Sequence, residues 1–312
     1  MASDQETTSS ASAVYGREPP PHVALPSRGV AIGLSWSGVE GAGNKIVAAR
    51  VECGPDRARL TKVWRPFTDA PGRRDVRERF APWLAEESRW AEGKLVVGVD
   101  FALSLAETHL RQLGLLRQGL KGPVALGKAL EERFLTEVAD FTTGAARFRA
   151  ELGRDRLRVT DHYRAELYPP SSARTHRRTF FGLVTLARLD AAMPPWEPPR
   201  PGAPIVVEVR PHHVTRTLCG VGPHRDDPRD GASRASTRAA ILRTLRSAAR
   251  LEFEMEVAAP IVQDAEGDTL DAVLGAVAAA AAWEGGFQGV PNNVPRCEGW
   301  IHSIREEPWR VR

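Results

Sequence analysis

The sequence predicts a single α/β domain built on a five-stranded mixed sheet, three antiparallel strands followed by two parallel ones, with helices on both faces and a helical insertion. Three observations predict it. Near the N-terminus, three short apolar or alternating segments follow one another with only turns between them, as in an antiparallel meander. Two further apolar runs are reached only through helical stretches, so each returns parallel to the first strand. The rest of the chain reads largely as helix, and 42% hydrophobic content over 312 residues is enough to close a sizeable core.

Residues 1–28 are polar and then proline-rich ("REPPPHVALPS"), a composition expected to form a disordered leader, with the ordered domain over 29–312. "GVAIGLSWSG" reads as an apolar strand ending in a Ser-Gly turn, and "KIVAARVECG" and "ARLTKVWRPF" alternate like half-exposed strands. "DVRERFAPWLAEESRW" places Val76, Phe80, Trp83 and Leu84 on one helical face, with Asp75 as its cap. "KLVVGVDFAL" is nearly unbroken in its apolarity, as a strand covered on both faces requires. Residues 106–192 are mostly helical and form the insertion. A proline-rich loop then precedes the short buried strand "IVVEVRP". "SRASTRAAILRTLRSAARLEF" is an amphipathic helix capped by Ser233 or Ser236, and "GDTLDAVLGAVAAAAAW" is an apolar one. No internal repeat is present.

Composition narrows the function classes. The three cysteines, Cys53, Cys219 and Cys297, are far apart and form no C-x-x-C pair, which argues against a disulfide framework or a zinc finger and for a reducing cytoplasm. The first residues lack the basic and apolar regions of a signal peptide, and no apolar run reaches membrane-spanning length. The formal net charge of +4 allows an anionic partner such as nucleic acid, although the excess is small and GC-rich coding also favours Arg over Lys. No G-x-x-x-x-G-K-[ST] loop and no G-x-S-x-G elbow occurs.

In open sheets, ligands sit at the carboxyl ends of parallel strands. Ser35 to Ser37, Asp100 to Ala102 and Glu208 meet that condition. Asp100 ends an apolar run, so its side chain can face a cleft. Asp268 and Asp271, three positions apart on one helix face, could reach the same place. Several carboxylates gathered out of water repel one another unless a cation neutralises them, and Mg²⁺ suits oxygen ligands. The same two acids also fit an ordinary helix start, with Asp268 as cap and Asp271 at its third position.

Taken together, "IGLSWSGVEGAGNKIVAAR", "VVGVDFALSLAE", "RVTDHYRAELYPP", "VEVRPHHV", "DTLDAVLGAVAAAA" and "EGWI" resemble, in order and spacing, domain-of-unknown-function family 429. The resemblance implies a ribonuclease H-like fold and a metal-dependent nuclease hydrolysing phosphodiester bonds of nucleic acid. It further implies Mg²⁺ or Mn²⁺ held by Asp100, Asp268 and Asp271, with Glu208 as a further acid of the site. One position departs. The family's first strand usually ends in an aspartate where this chain has Ser35, and a hydroxyl is a much poorer Mg²⁺ ligand. Ser35 therefore raises the alternative of a catalytically inactive ribonuclease H-like binding or scaffold protein, and Glu40 lies too far into the following hairpin to replace the acid.

Other segments carry weaker signals. Arg174, Arg177 and Arg178 enter a cleft-side helix and are candidates for substrate phosphates, whereas Arg238, Arg243, Arg246 and Arg250 read as a solvated helix face. His212, His213, Cys219 and His224 lack zinc-site spacing, and "HHVTRTL" reads as a continuation of the preceding strand. An actin-like ATPase would need the sheet twice, and one copy is present.

Overall fold

The structure, a computed structural model, describes residues 26–304 apart from 119–121, 136–139, 165, 221–222, 228 and 230. The expected leader therefore falls almost wholly outside the described residues. Strands β1 (Gly29–Ser35), β2 (Val47–Cys53) and β3 (Ala58–Trp64) form the antiparallel meander. Strand β4 (Leu95–Val99) pairs parallel with β1, and β5 (Ile205–Val209) pairs parallel with β4.

The sheet has seven strands, not five, in the order β6-β3-β2-β1-β4-β5-β7. The additional strands are two-residue edges, β6 (Leu251–Glu252) beside β3 and β7 (Ile301–His302) beside β5, both parallel to their neighbours. The first lies in "RLEF", read above as the tail of a helix, and the second in the terminal "EGWI". Two residues carry no periodicity, so they form strands only because a neighbouring edge offers unpaired backbone groups.

Helix α1 (Arg73–Trp90) links β3 to β4. Its cap is Gly72 rather than Asp75, which sits in the first turn and accepts the Gly72 amide at 3.2 Å. Between β4 and β5 lie α2 (Glu107–Gln112), α3 (Gly122–Phe134), α4 (Phe141–Leu152), α5 (Val159–Tyr163) and α6 (His176–Leu186). After β5 come α7 (Pro211–Cys219), α8 (Ala235–Ala248), α9 (Met255–Gln263) and α10 (Asp268–Glu284). The "HHVTRTL" segment is thus helical, and the proline at its first position is the reason: a fixed φ and a missing N–H suit the first helical turn and end a strand.

Each face of the sheet has its own core. One is aromatic, with Trp36, Phe80, Phe101 and Phe181 in ring contact under α1 and α6. The other is built from small residues beneath α10, which crosses β1, β2 and β4. A methyl group on Gly33 would come within 1.9 Å of the Ala272 carbonyl oxygen, and one on Gly98 within 2.6 Å of that of Gly275. The alanine run is therefore what lets a helix backbone rest directly on the strands. This close seat also fixes where the helix begins, beside the carboxyl ends of β1 and β4. Among the described residues, no helix is long and apolar enough to cross a membrane.

Candidate functional site

The carboxyl ends of β1, β4 and β5 open into a cavity of about 1370 Å³. Its walls are the loop after β1, the start of α6, the start of α7, the segment Pro223–Arg225 and the head of α10. Asp100, Asp268 and Asp271 all line it, so residues distant along the chain share one space.

Local structure explains how each acid reaches the cavity. Asp100 is the first residue past β4, and its amide still bonds the Leu34 carbonyl at 3.2 Å, which holds its side chain at the sheet's end. Helix α10 is not capped by Asp268. Its cap is Gly267 in the left-handed region, while Asp264 accepts both the amide and the hydroxyl of Thr269 at 2.8 Å. Asp264 thus satisfies the helix start and leaves Asp268 and Asp271 to face the cavity.

Guanidinium groups surround these carboxylates. Asp100 accepts from Arg178 at 2.9 Å and faces Arg210 at 3.5 Å. Asp268 pairs with Arg225 at 2.9 Å and receives the Ser35 hydroxyl at 3.3 Å. Asp271 accepts from Arg225 on one oxygen and from His224 Nε2, 2.9 Å away, on the other. Burial pushes the Asp100 and Asp268 carboxyls above the ordinary range, with arginine only partly offsetting it. Burial also acts on Asp271, but His224 and Arg225 outweigh it and its carboxyl lies below that range.

Arg174, Arg177 and Arg178 line the same cavity. Arg178 reaches Asp100 because the loop after β1 passes so close to α6 that a methyl on Gly38 would lie 2.5 Å from the Arg178 amide nitrogen. Arg174 lies against Tyr168, and Arg177 has no hydrogen bond or ion pair among the described residues. His212, at the head of α7, lies 3.0 Å from Glu166, whose carboxylate burial raises but His212 and Arg210 bring below its ordinary range.

Glu208 is elsewhere. Fully buried in β5, it does not line the cavity: it accepts the Leu103 amide at 2.9 Å, both terminal nitrogens of Arg158 at 2.8 and 2.6 Å, and pairs with Arg210 at 2.8 Å. Arg158 also grips Asp161 at 2.7 Å, which assigns the "RVTDHY" segment a structural role. Arg238, read as a solvated helix residue, is buried instead and donates to the carbonyls of Val262 and His224, both at 2.8 Å. Exposed Glu40 does not line the cavity and supplies no substitute acid for Ser35.

Arg210, Glu166, His224 and Arg225 were not singled out by sequence as partners of this site. Arg210 had a signal, since it follows Glu208 at strand period two and so shares its face. Arg225 stands in an irregular segment where no period operates.

Among the described residues, no group of three or more His, Cys, Asp or Glu side chains has an arrangement that could hold a divalent ion. Asp100, Asp268 and Asp271 already carry guanidinium partners, and the first strand ends in Ser35 rather than in an acid. As arranged, the site does not fit a resident Mg²⁺ or Mn²⁺.

What the fold and cavity define is an α/β protein with an arginine-rich cleft at the ends of its parallel strands. The chain belongs to the family described as "Protein of unknown function (DUF429)", whose model matches residues 38–296. No curated protein and no solved structure matches it.

Proposed function

We propose that this protein binds nucleic acid through its phosphodiester backbone in the cleft, on a ribonuclease H-like sheet whose acidic centre is neutralised by arginines in place of divalent ions. One observation carries this reading: Arg225 bridges Asp268 and Asp271 while Arg178 and Arg210 hold Asp100. Three cationic side chains thus stand where a metal-dependent enzyme would need open carboxylates. Eight Lys and Arg side chains line the cleft against five Asp and Glu, so it attracts a polyanion even after every internal pair is counted. The strand order β3-β2-β1-β4-β5 at the centre of the sheet supports the ribonuclease H-like assignment, and Ser35 supports the loss of a metal ligand.

A second reading, the Mg²⁺- or Mn²⁺-dependent nuclease, is favoured by the meeting of Asp100, Asp268 and Asp271 in one cavity and by the 48% exposure of the Arg225 side chain. An exposed guanidinium can withdraw at little cost.

Fluorescence anisotropy with a labelled oligonucleotide separates the two. The binding reading predicts the same affinity in chelator and in Mg²⁺ at matched ionic strength, and intact oligonucleotide afterwards. Cleavage that requires Mg²⁺ or Mn²⁺ and disappears in Asp268→Asn would establish the nuclease instead. Ser35→Asp sharpens the comparison: a gain of divalent-dependent cleavage would identify a site one ligand short.

A further inference from the structure

The wall of the cleft formed by Leu167 and Tyr168 differs in kind from the rest. Leu167 is 77% exposed and Tyr168 43%, and both line the cavity. The exposed Trp90 also carries an arginine on its ring, with the Arg50 guanidinium 4.0 Å from the ring centre, but it lies away from the cavity. The tyrosine is instead fixed in place at the cleft. The Arg174 guanidinium carbon lies 4.5 Å from its ring centre, and Arg174 Nη1 donates to its hydroxyl at 2.6 Å. A guanidinium that both stacks on the ring and bonds its hydroxyl immobilises the side chain, so little rotamer entropy remains to be lost when something binds against it.

An apolar, pre-ordered shelf beside a cationic floor restricts the ligand. A polyanion that offers only charge gains nothing from an aromatic face. A nucleobase gains on the order of 1–3 kcal/mol from stacking on one, whatever its identity. In a duplex the base faces are already stacked on one another and hidden, so only an unpaired strand can present them. Arg177, at the start of α6, lies in the same cavity and would take an adjoining phosphate, with bidentate geometry available to its guanidinium.

Resting on the nucleic-acid reading above, we propose that Tyr168, held by Arg174 and flanked by Leu167, is a base-stacking platform that makes the cleft a site for single-stranded nucleic acid.

The test uses the full chain in chelator, with a short single-stranded oligonucleotide, the duplex of the same sequence, and inorganic polyphosphate as a charge-only probe. Tyr168→Ala is expected to weaken the single strand on the order of ten-fold, to leave polyphosphate binding unchanged, and to leave the melting temperature where it was, because the side chain packs on the surface. Tyr168→Phe keeps the ring and is expected to retain most of the affinity. The unaltered chain is expected to prefer the single strand to the duplex. Unchanged single-strand affinity in Tyr168→Ala, or duplex bound as tightly as single strand, would overturn the platform alone. Failure of all three ligands to bind would overturn the cleft reading beneath it and the platform with it.

Discussion

This molecule holds two arginine–carboxylate networks that differ in what surrounds them rather than in what they contain. Around Glu208, Arg158 and Asp161 are wholly enclosed, and every charge is matched by a near-ideal partner. Around Asp268 and Asp271, Arg225 keeps nearly half its side chain in solvent and the carboxylates open onto a cavity. Arg210 stands between them, pairing with Glu208 at 2.8 Å and facing Asp100, a third acid of the cavity, at 3.5 Å. The adjacent histidines of α7 divide the same way: His212 faces Glu166 in the cleft, while His213 bonds Ser303 at 2.8 Å away from it. An enclosed ion network resists change because each member, once alone, has no water to turn to, whereas an open one can exchange its internal partners for a ligand.

Removing one member from each network should break the likeness most visibly. Arg158→Met strands the buried Asp161 carboxylate and leaves Glu208 with Arg210 as its remaining ion partner among the described residues, and is expected to cost about 3–5 kcal/mol of stability by denaturant unfolding. Arg225→Met is expected to cost less, on the order of 1–2 kcal/mol, because Asp268 is partly exposed and Asp271 keeps His224. Equal losses would erase the distinction.

Acid should strain the enclosed side next. Burial, with the charge of Arg164 adding to it, pushes His213 down to about 4. The unfolded chain takes up a proton below the ordinary histidine value near 6.5 and the folded chain does not, so this histidine's contribution is intact above pH 6.5 and is lost as pH falls toward 4. The loss amounts to about 3 kcal/mol at most. His213→Gln should flatten that slope when melting is followed between pH 7 and about 4.5.

Smaller effects belong to the cleft. Arg225→Ala is expected to weaken oligonucleotide binding on the order of ten-fold and to reduce the slope of log affinity against log salt by about 0.7, the value for one lost single-strand phosphate contact. Arg243→Ala, on a helix outside the cavity, should leave that slope unchanged. Finally, the Asp100 and Asp268 carboxyls lie above the usual range, so they gain protons early as pH falls, removing negative charge from the cleft and releasing arginine. Oligonucleotide affinity in chelator should therefore rise as pH falls, and less so in Asp100→Asn. A divalent-dependent site behaves oppositely, because its ligands must lose protons to bind the ion.

Much of this is legible in the sequence. The meander follows from alternation, the buried run ending in Asp100 and the helix carrying Asp268 and Asp271 from unbroken apolarity, and the strand-end rule placed Asp100 at a cleft, while its meeting with the other two aspartates was implied by the family resemblance. Glu208 shows the limit of that rule. A strand pattern tells which face a carboxylate takes but not whether an arginine fifty residues upstream already fills the space before it. Arg225 and His224 lie in an irregular segment, where no repeat marks a partner, and Arg238 looked solvated because its helix is otherwise amphipathic. The edge strands β6 and β7 exist through pairing alone.

The claim that arginine stands in place of metal is tested most directly by calorimetric titration of the purified chain with Mn²⁺. No saturable heat beyond dilution is expected, either in the unaltered chain or in Asp268→Asn. A saturable Mn²⁺ site in the unaltered chain that vanishes in Asp268→Asn would contradict it.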